Sequence, residues 1–588
     1  MEETRGIGRY QVQLRWGIKI PLRDGICLNA TAYIPRELRD PAPAIFTLTP
    51  YIGQTYHDRG MYFAAHGYPF LTVDVRGRGD SGGEFKPNIN EAKDGHDVVE
   101  WLAQQTYCNG QVAMWGGSYS GYAQWATAKE LPPHLSTIVP VASPSMGVDF
   151  PFGGNIASPY LMRWLTLVWG RASQDKIFAD GVEYWDQRFR EWYESGNAFE
   201  QLDTFLGNPS DVFQEWLRHP QPDDYWDSYN PTSEQYSRIA LPVLSITGIY
   251  DGDQPGAISY YRQHLRHSRV ARERHYLVIG PWDHAGTRTP RAEFGGLKLG
   301  PASVIDLPRL HLQWYAWTMQ GGPKPEFLHN KVAYYVIGAD RWRYAESLDS
   351  ITRRVQLLYL HSAGNPTDVF SSGFLQSEPA SSAPDQFVYD PRDTRLAQVE
   401  ASVGSNYLVD QRMIHAAGVS QLIYHSQPFP SEMEVSGFFK LSVWLSIDRP
   451  DTDVRATVYL VDALGSAMRL SEDRIRARYR QDLRREVLIG TSEPLRYDFD
   501  HFTFVAVKIS KGSRLRLVVG SNDSIYTQRN FNGGGVVSKE SVKDARPVTV
   551  RLFHDGSHKS VLYVPLGDDV SEEPAWARSV VTDRQGQE

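Results

Sequence analysis

The spacing of apolar residues divides the chain into three textures. From residue 1 to about 146, and again from 241 to about 350, short apolar runs at 44–48, 112–115, 241–248 and 275–280 alternate with helical stretches. That alternation predicts a parallel sheet covered by helices on both faces. Between these two pieces strand-like runs nearly vanish over 158–230. There Trp164, Trp169, Trp185, Trp192, Trp216 and Trp226 punctuate helical segments such as 182–193. Aromatics at such spacing are expected to pack helices together. Beyond Arg353 the period drops to two. Phe439, Leu441, Val443, Leu445 and Ile447 alternate with Lys440, Ser442, Trp444 and Ser446, and Val548, Val550 and Leu552 alternate with Thr549 and Arg551. One face of each such strand should be buried, and many strands with glycine and proline turns indicate a sandwich. The predicted organisation is α/β: a sheet core over 1–146 and 241–350, a helical cap over 147–240, and an all-β region over 351–588.

One run breaks sharply from strand to helix. Residues 111–122 read Gln-Val-Ala-Met-Trp-Gly-Gly-Ser-Tyr-Ser-Gly-Tyr, with Ser118 at the corner, Gly116 and Gly121 around it, and an alanine-containing, proline-free stretch at 119–129 behind it. A turn that tight holds a serine side chain out of the fold and aims neighbouring amides at a developing oxyanion. The usual Gly-x-Ser-x-Gly spacing would put glycine at 120. Here that place is Ser120 and the glycine follows at Gly121, so a plain glycine–serine turn is the competing reading.

A serine hydroxyl needs a base, and the base an acid to orient it, in the chain order Ser, Asp, His. The polar loop at 249–256, directly after an apolar strand, supplies Asp251, with Asp253 as the alternative acid. The 275–280 strand runs into Pro281-Trp-Asp-His284, and His284 is set apart from the other histidines by that position. Catalytic groups of open α/β sheets gather beyond the carboxyl ends of strands, so Ser118, Asp251 and His284 can converge despite their separation. Asp283 reads as a turn residue. Tyr51 follows the apolar run 44–48, where hydrolases of this kind place an oxyanion donor, although composition alone reads it as a packed aromatic.

Length and charge narrow the choice of function. At 588 residues the chain should hold two or three domains. A net charge of −8 gives no reason to expect nucleic acid or an anionic membrane as partner. No apolar run approaches the roughly eighteen residues of a membrane span, and the start Met-Glu-Glu-Thr-Arg lacks a basic region followed by an apolar one. The cytoplasm is therefore the expected compartment. Cys27 and Cys108 give neither a metal quartet nor a disulfide framework and are expected to be free, Cys108 in a loop ahead of the elbow strand. No cofactor or metal is called for. The glycine-rich loop at 76–83 lacks Gly-Lys-Ser/Thr and is read as a tight support for the active-site edge. Self-association into a homo-oligomer stays open.

Several motifs in order, Thr49-Pro50-Tyr51, Asp74-Val-Arg-Gly-Arg-Gly-Asp-Ser-Gly-Gly83, the elbow at 116–121, Tyr250-Asp251-Gly252 and Gly280-Pro-Trp-Asp-His284, resemble the cocaine esterase-like and X-Pro dipeptidyl-peptidase group of serine hydrolases, the CocE/NonD family. The resemblance spans nearly the whole chain, and that family's elbow has its second glycine three residues after the serine. It implies an α/β-hydrolase core, an inserted helical cap and a C-terminal jelly roll. It also implies Ser118 as nucleophile, His284 as base, Asp251 as orienter, and an oxyanion hole from the Tyr51 hydroxyl and the Tyr119 amide. The expected activity is hydrolysis of a carboxylic ester or related acyl bond through an acyl-enzyme. X-Pro dipeptidyl-peptidase-like or β-lactam acylase-type amide hydrolysis is the alternative, and a silent scaffold with a glycan-binding jelly roll is the non-enzymatic one. The branch that holds an α-ammonium uses several pocket carboxylates. Asp253 and the Asp149 region offer two, and Gln254 stands where a third acid would help, so a neutral small-molecule acyl ester or amide is the expected partner.

Overall fold

The computed structural model describes residues 8–179 and 181–568. Ten strands form the first sheet: Val12–Pro21 (β1), Cys27–Pro35 (β2), Ala42–Thr49 (β3), Phe70–Asp74 (β4), Cys108–Gly117 (β5), Leu135–Val141 (β6), Val243–Tyr250 (β7), His275–Asp283 (β8), Val332–Val336 (β9) and Arg341–Ala345 (β10). Their spatial order is β1-β2-β4-β3-β5-β6-β7-β8-β9-β10. Every pair from β4 through β9 is parallel, and antiparallel strands finish both edges. The central strands are sealed on both faces: every residue of β3 and of β4 is buried. Continuous apolar runs, rather than alternating ones, are what such doubly covered strands require. Because the central strands are parallel, their carboxyl ends share one edge of the sheet.

The segment between β6 and β7 is helical, including Tyr160–Leu167, Val182–Ser195 and Asp211–Arg218. Five of its six tryptophans are buried as expected, at 5% exposure or less. Trp169 is the exception at 65% exposed. It lies two residues past the end of the Tyr160–Leu167 helix, in a bend on the rim of the cap. Cys108 also departs from expectation. It is the buried first residue of β5 rather than a loop residue, and both cysteines are free.

From Arg354 onward thirteen strands form a second sheet system. Strand Lys440–Ile447 shows the period-two pattern incompletely, since Ser442 and Ser446 are buried along with the apolar set. Ser442 reaches burial by donating to Asp498, and a satisfied hydroxyl is tolerated inside. Asp451 and Asp453 pair with Arg478 and Arg476 at 2.8 and 2.9 Å, and Asn530 donates to both carboxylates, so this turn is structural.

The two sheets share one interior. Ile249, Leu277 and Ile279 of the first, with Ile258 of the helix Gln254–His267, cluster with Val435 and Val507 of the second and with Phe504 beside it. Gln254 adds a polar latch: its amide nitrogen donates to Gly248 O and Ile249 O at 3.0 Å and to Phe504 O at 3.3 Å, while its oxygen accepts from Phe504 N at 2.6 Å. Gln254 is therefore occupied in joining the layers and does not act as a pocket group. Among the described residues, no helix is long and apolar enough to cross a membrane.

Candidate active site

Each of the five predicted residues follows the carboxyl end of a parallel strand. Tyr51 comes two residues after β3, Ser118 and Tyr119 immediately after β5, Asp251 after β7 and His284 after β8. Ser118 sits at φ 60°, ψ −127° between β5 and the helix Tyr119–Lys129. That backbone is costly for a residue with a Cβ and persists only where its surroundings fix it. Here the Ser118 N–H donates to Val141 O at 2.9 Å, and Gly121 N and Tyr122 N both donate to Ser118 O. The flanking glycines are needed for space. A Cβ on Gly116 would come within 2.5 Å of Ser120 Cβ, and one on Gly121 within 2.8 Å of Val141 O.

His284 Nδ1 lies 2.7 Å from Asp251 Oδ1. Thr247 Oγ1 donates to the other carboxylate oxygen at 2.9 Å, and Asp253 N donates to Oδ1 at 3.1 Å. Burial alone would raise the Asp251 carboxyl, but the facing imidazole and these hydrogen bonds outweigh it and hold the group below the usual carboxylate range. An ionised Asp251 can only accept, so Nδ1 carries the imidazole proton and Nε2 presents its lone pair.

Asp253 is the poorer acid. Its Oδ2 is 3.6 Å from the same Nδ1, and burial, reinforced by Asp251 and Asp149, pushes its carboxyl well above the ordinary value. Asp149 is spent on backbone, accepting from Ser145 N at 2.8 Å and Gly256 N at 2.5 Å, and burial pushes it up as well. Ligand atoms of Asp251, Asp253 and His284 lie within 4.8 Å of one another, a spacing a cation would accept. The 2.7 Å contact is instead that of a hydrogen bond, which assigns Nδ1 and Oδ1 to each other.

Tyr51 is half-buried, and Trp164 Nε1 of the cap donates to its oxygen at 3.1 Å. Burial pushes the phenol up to about 12, against opposing hydrogen bonds from Trp164 and Ser118. Tyr51 thus keeps its proton at neutral pH and has an O–H to donate. The Tyr119 ring is pinned separately: its hydroxyl donates to Glu91, accepts from Asn88 N at 2.8 Å, and its face stacks on Trp164 at 5.9 Å. Tyr119 is the first residue of its helix, and first-turn amides have no intrahelical partner.

Sequence reasoning left three contributors unassigned. Trp164 was one of six cap tryptophans with nothing to single it out. Arg78 is fully buried and donates to Pro50 O and Val168 O at 2.8 Å and to Trp169 O at 3.3 Å, with a further bond to Gly170 O. It thereby ties the loop carrying Tyr51 to the end of the helix carrying Trp164, the supporting role expected of the 76–83 loop. Arg288, four residues after His284, lies over Gly117. A groove of about 370 Å³ opens between that loop and the cap, and none of the five residues lines it.

Comparison with known proteins agrees with this architecture. Residues 24–286 match the family model of the X-Pro dipeptidyl-peptidase (S15 family), and residues 328–562 match that of the X-Pro dipeptidyl-peptidase C-terminal non-catalytic domain. The chain is similar to cocaine esterase of Rhodococcus sp. (strain MB1 Bresler), 25% identical over 95% of this chain and 99% of that protein. It is also similar to a putative serine esterase of Mycobacterium bovis, 23% identical over 80% of this chain and 82% of that one. Among solved structures, an alpha-amino acid ester hydrolase superposes with a TM-score of 0.80 at 18% identity, over 96% of this chain and 98% of its own. An aminopeptidase from a marine sediment Thaumarchaeota archaeon superposes with a TM-score of 0.79 at 21% identity, over 97% and 98%.

Proposed function

Because this chain belongs to the cocaine esterase-like, X-Pro dipeptidyl-peptidase (S15) family of serine hydrolases, we propose that it cleaves a small-molecule carboxylic ester in two acyl-transfer steps at Ser118. His284 Nε2 takes the Ser118 proton as the oxygen attacks the carbonyl carbon, and passes it to the departing alcohol. Water then attacks the acyl-enzyme, again giving its proton to His284, and the acid leaves as Ser118 is restored. Asp251 holds the tautomer and stabilises the transient imidazolium. The Tyr51 hydroxyl and the Tyr119 amide meet the charge on the tetrahedral oxygen. The observation that carries the reading is the 2.7 Å pairing of buried Asp251 with His284 at the sheet edge where the chain turns at Ser118 in a strained conformation.

The same reading divides the chain into a core over 1–146 and 241–350, a cap over 147–240 and a β region over 351–588. The end of β10 at Ala345 and the start of the next strand at Arg354 support the last boundary. Amide hydrolysis of the X-Pro type is the second reading, favoured by the family match alone. The test is a panel of p-nitrophenyl esters, aminoacyl esters and X-Pro amides, each with the native protein and with Ser118→Ala. Ester turnover that the variant lacks supports the proposal. Turnover confined to X-Pro amides would replace it with the second reading.

A further inference from the structure

Arg288 is a cation at the reaction centre without an anion of its own. The turn after His284 is fixed by bonds from Thr287 N to Asp283 O and from Arg288 N to Ala285 O, and Arg59 Nη2 donates to Arg288 O at 2.8 Å. The side chain folds back over the elbow. A Cβ built on Gly117, the residue before Ser118, would lie 2.6 Å from Arg288 Cδ and 2.9 Å from Nη1. The same Nη1 is 3.5 Å from His284 Nε2, the nitrogen that must accept the serine proton. Among the described residues, Arg288 forms no ion pair, unlike Arg476 and Arg478, whose carboxylates lie within 3 Å. Asp253 makes no ion pair with it, and burial and its acidic neighbours raise that carboxyl while Arg288 opposes them.

A positive charge beside His284 opposes formation of the imidazolium on which the proposed reaction depends. A substrate that brings a negative charge to Arg288 would remove that penalty and gain charge-assisted hydrogen bonds in the same contact. We infer that Arg288 is the binding site for a carboxylate carried by the substrate close to the scissile ester, so that the preferred substrates are anionic acyl esters. The inference rests on the ester hydrolase reading and deepens it. It also revises the expectation of a neutral substrate, and it disfavours an α-ammonium, which the guanidinium would repel.

Two matched pairs of substrates test it, each differing by methylation of one carboxylate, with rates counted per scissile ester. Monomethyl and dimethyl succinate, followed by methanol release, place the carboxylate on the acyl side. Acetylglycolate and its methyl ester, followed by acetate release, place it on the leaving group. In at least one pair the native protein should favour the anion by about 10- to 100-fold in kcat/KM, the range of a charged hydrogen-bonded contact. Arg288→Gln should abolish that preference and speed the neutral ester several-fold, while Arg288→Lys keeps part of the preference. The loss of the charge preference, with the neutral ester still turned over, is a readout that a packing defect would not give.

Neutral esters hydrolysed as fast as their anions in both pairs by the native protein would overturn the inference while leaving the ester hydrolase reading intact. If no ester is hydrolysed and a fluorophosphonate leaves Ser118 unlabelled, the underlying reading fails and takes this one with it.

Discussion

At the scale of single residues the site depends on protons being held where they are useful. Tyr51 stays protonated and accepts from Trp164, so its own O–H is available to an oxyanion. Tyr51→Phe is expected to lower kcat by about 10²- to 10³-fold with little change in KM, measured on whichever ester the panel identifies. Wild-type turnover in that variant would reduce Tyr51 to packing. Glu91 gives a second prediction. Buried against Tyr119, its carboxyl is pushed up to about 7 from 4.5, burial being the main cause. The folded state then holds a proton that the unfolded chain has released, so stability declines as pH rises from about 4.5 to about 7 and is flat above. Glu91→Gln should remove that share of the decline, roughly 1–3 kcal/mol, in denaturant titrations at pH 5 and pH 8. An unchanged difference between the two pH values would contradict the buried, protonated assignment. The positions of Ser118, Asp251 and His284 at strand ends were legible because each lies within four residues of the end of an apolar run. Glu91 and Arg288 were not, because their importance lies in neighbours distant in sequence or in a side-chain direction that no pattern records.

At the scale of elements, the strand–turn–helix around Ser118 works by close approach. Gly121 faces Val141 O and Ser143 Cα, which would stand 2.8 and 3.1 Å from an added Cβ. Both are backbone atoms of the segment leaving β6 and cannot swing aside. Gly121→Ala should therefore destabilise the fold by about 1–3 kcal/mol, as overpacking does, and slow turnover by moving the helix that begins at Tyr119. A variant with native stability and rate would show that the elbow is not tightly packed. The helix at 119–129 and the strand before it could be read from sequence because apolar run, glycine corner and helix formers agree with one another. The ends of β7 and β8 could not be read as well. Both strands run up to the residue before Asp251 and His284, the proposed acid and base, and β8 does so through an irregular pairing between Gly280 and Asp283. Apolar periodicity stops at Gly280, whereas hydrogen bonding to β7 does not. Strand Lys440–Ile447 hides its second buried face for a related reason: serine reads as exposed unless its partner, here Asp498, is known.

At the scale of the whole molecule, the β-rich region is part of the same body as the hydrolase core. The interior crosses from one sheet to the other, and Gln254, three residues past Asp251, is bonded through both its amide atoms to Phe504. Gln254→Leu would leave Phe504 N and the carbonyls of Gly248 and Ile249 without that partner. It should cost about 2–4 kcal/mol and disturb the loop holding Asp251, seen as a lower unfolding midpoint together with a lower rate. A loss of neither would mean that the two regions are energetically independent. The three textures of the sequence anticipated the parallel sheet, the helical stretch after β6 and the second sheet, since each obeys its own periodicity. The contact between regions was not legible, because residues such as Gln254 and Phe504 carry no signature that they meet. The central claim is that one serine of the whole chain is activated, and intact-mass spectrometry with peptide mapping after treatment with a fluorophosphonate tests it most directly. The account predicts a single adduct, on Ser118, absent from Ser118→Ala and strongly slowed in His284→Ala. A folded native protein that takes up no adduct, or takes it up on another residue, would contradict it.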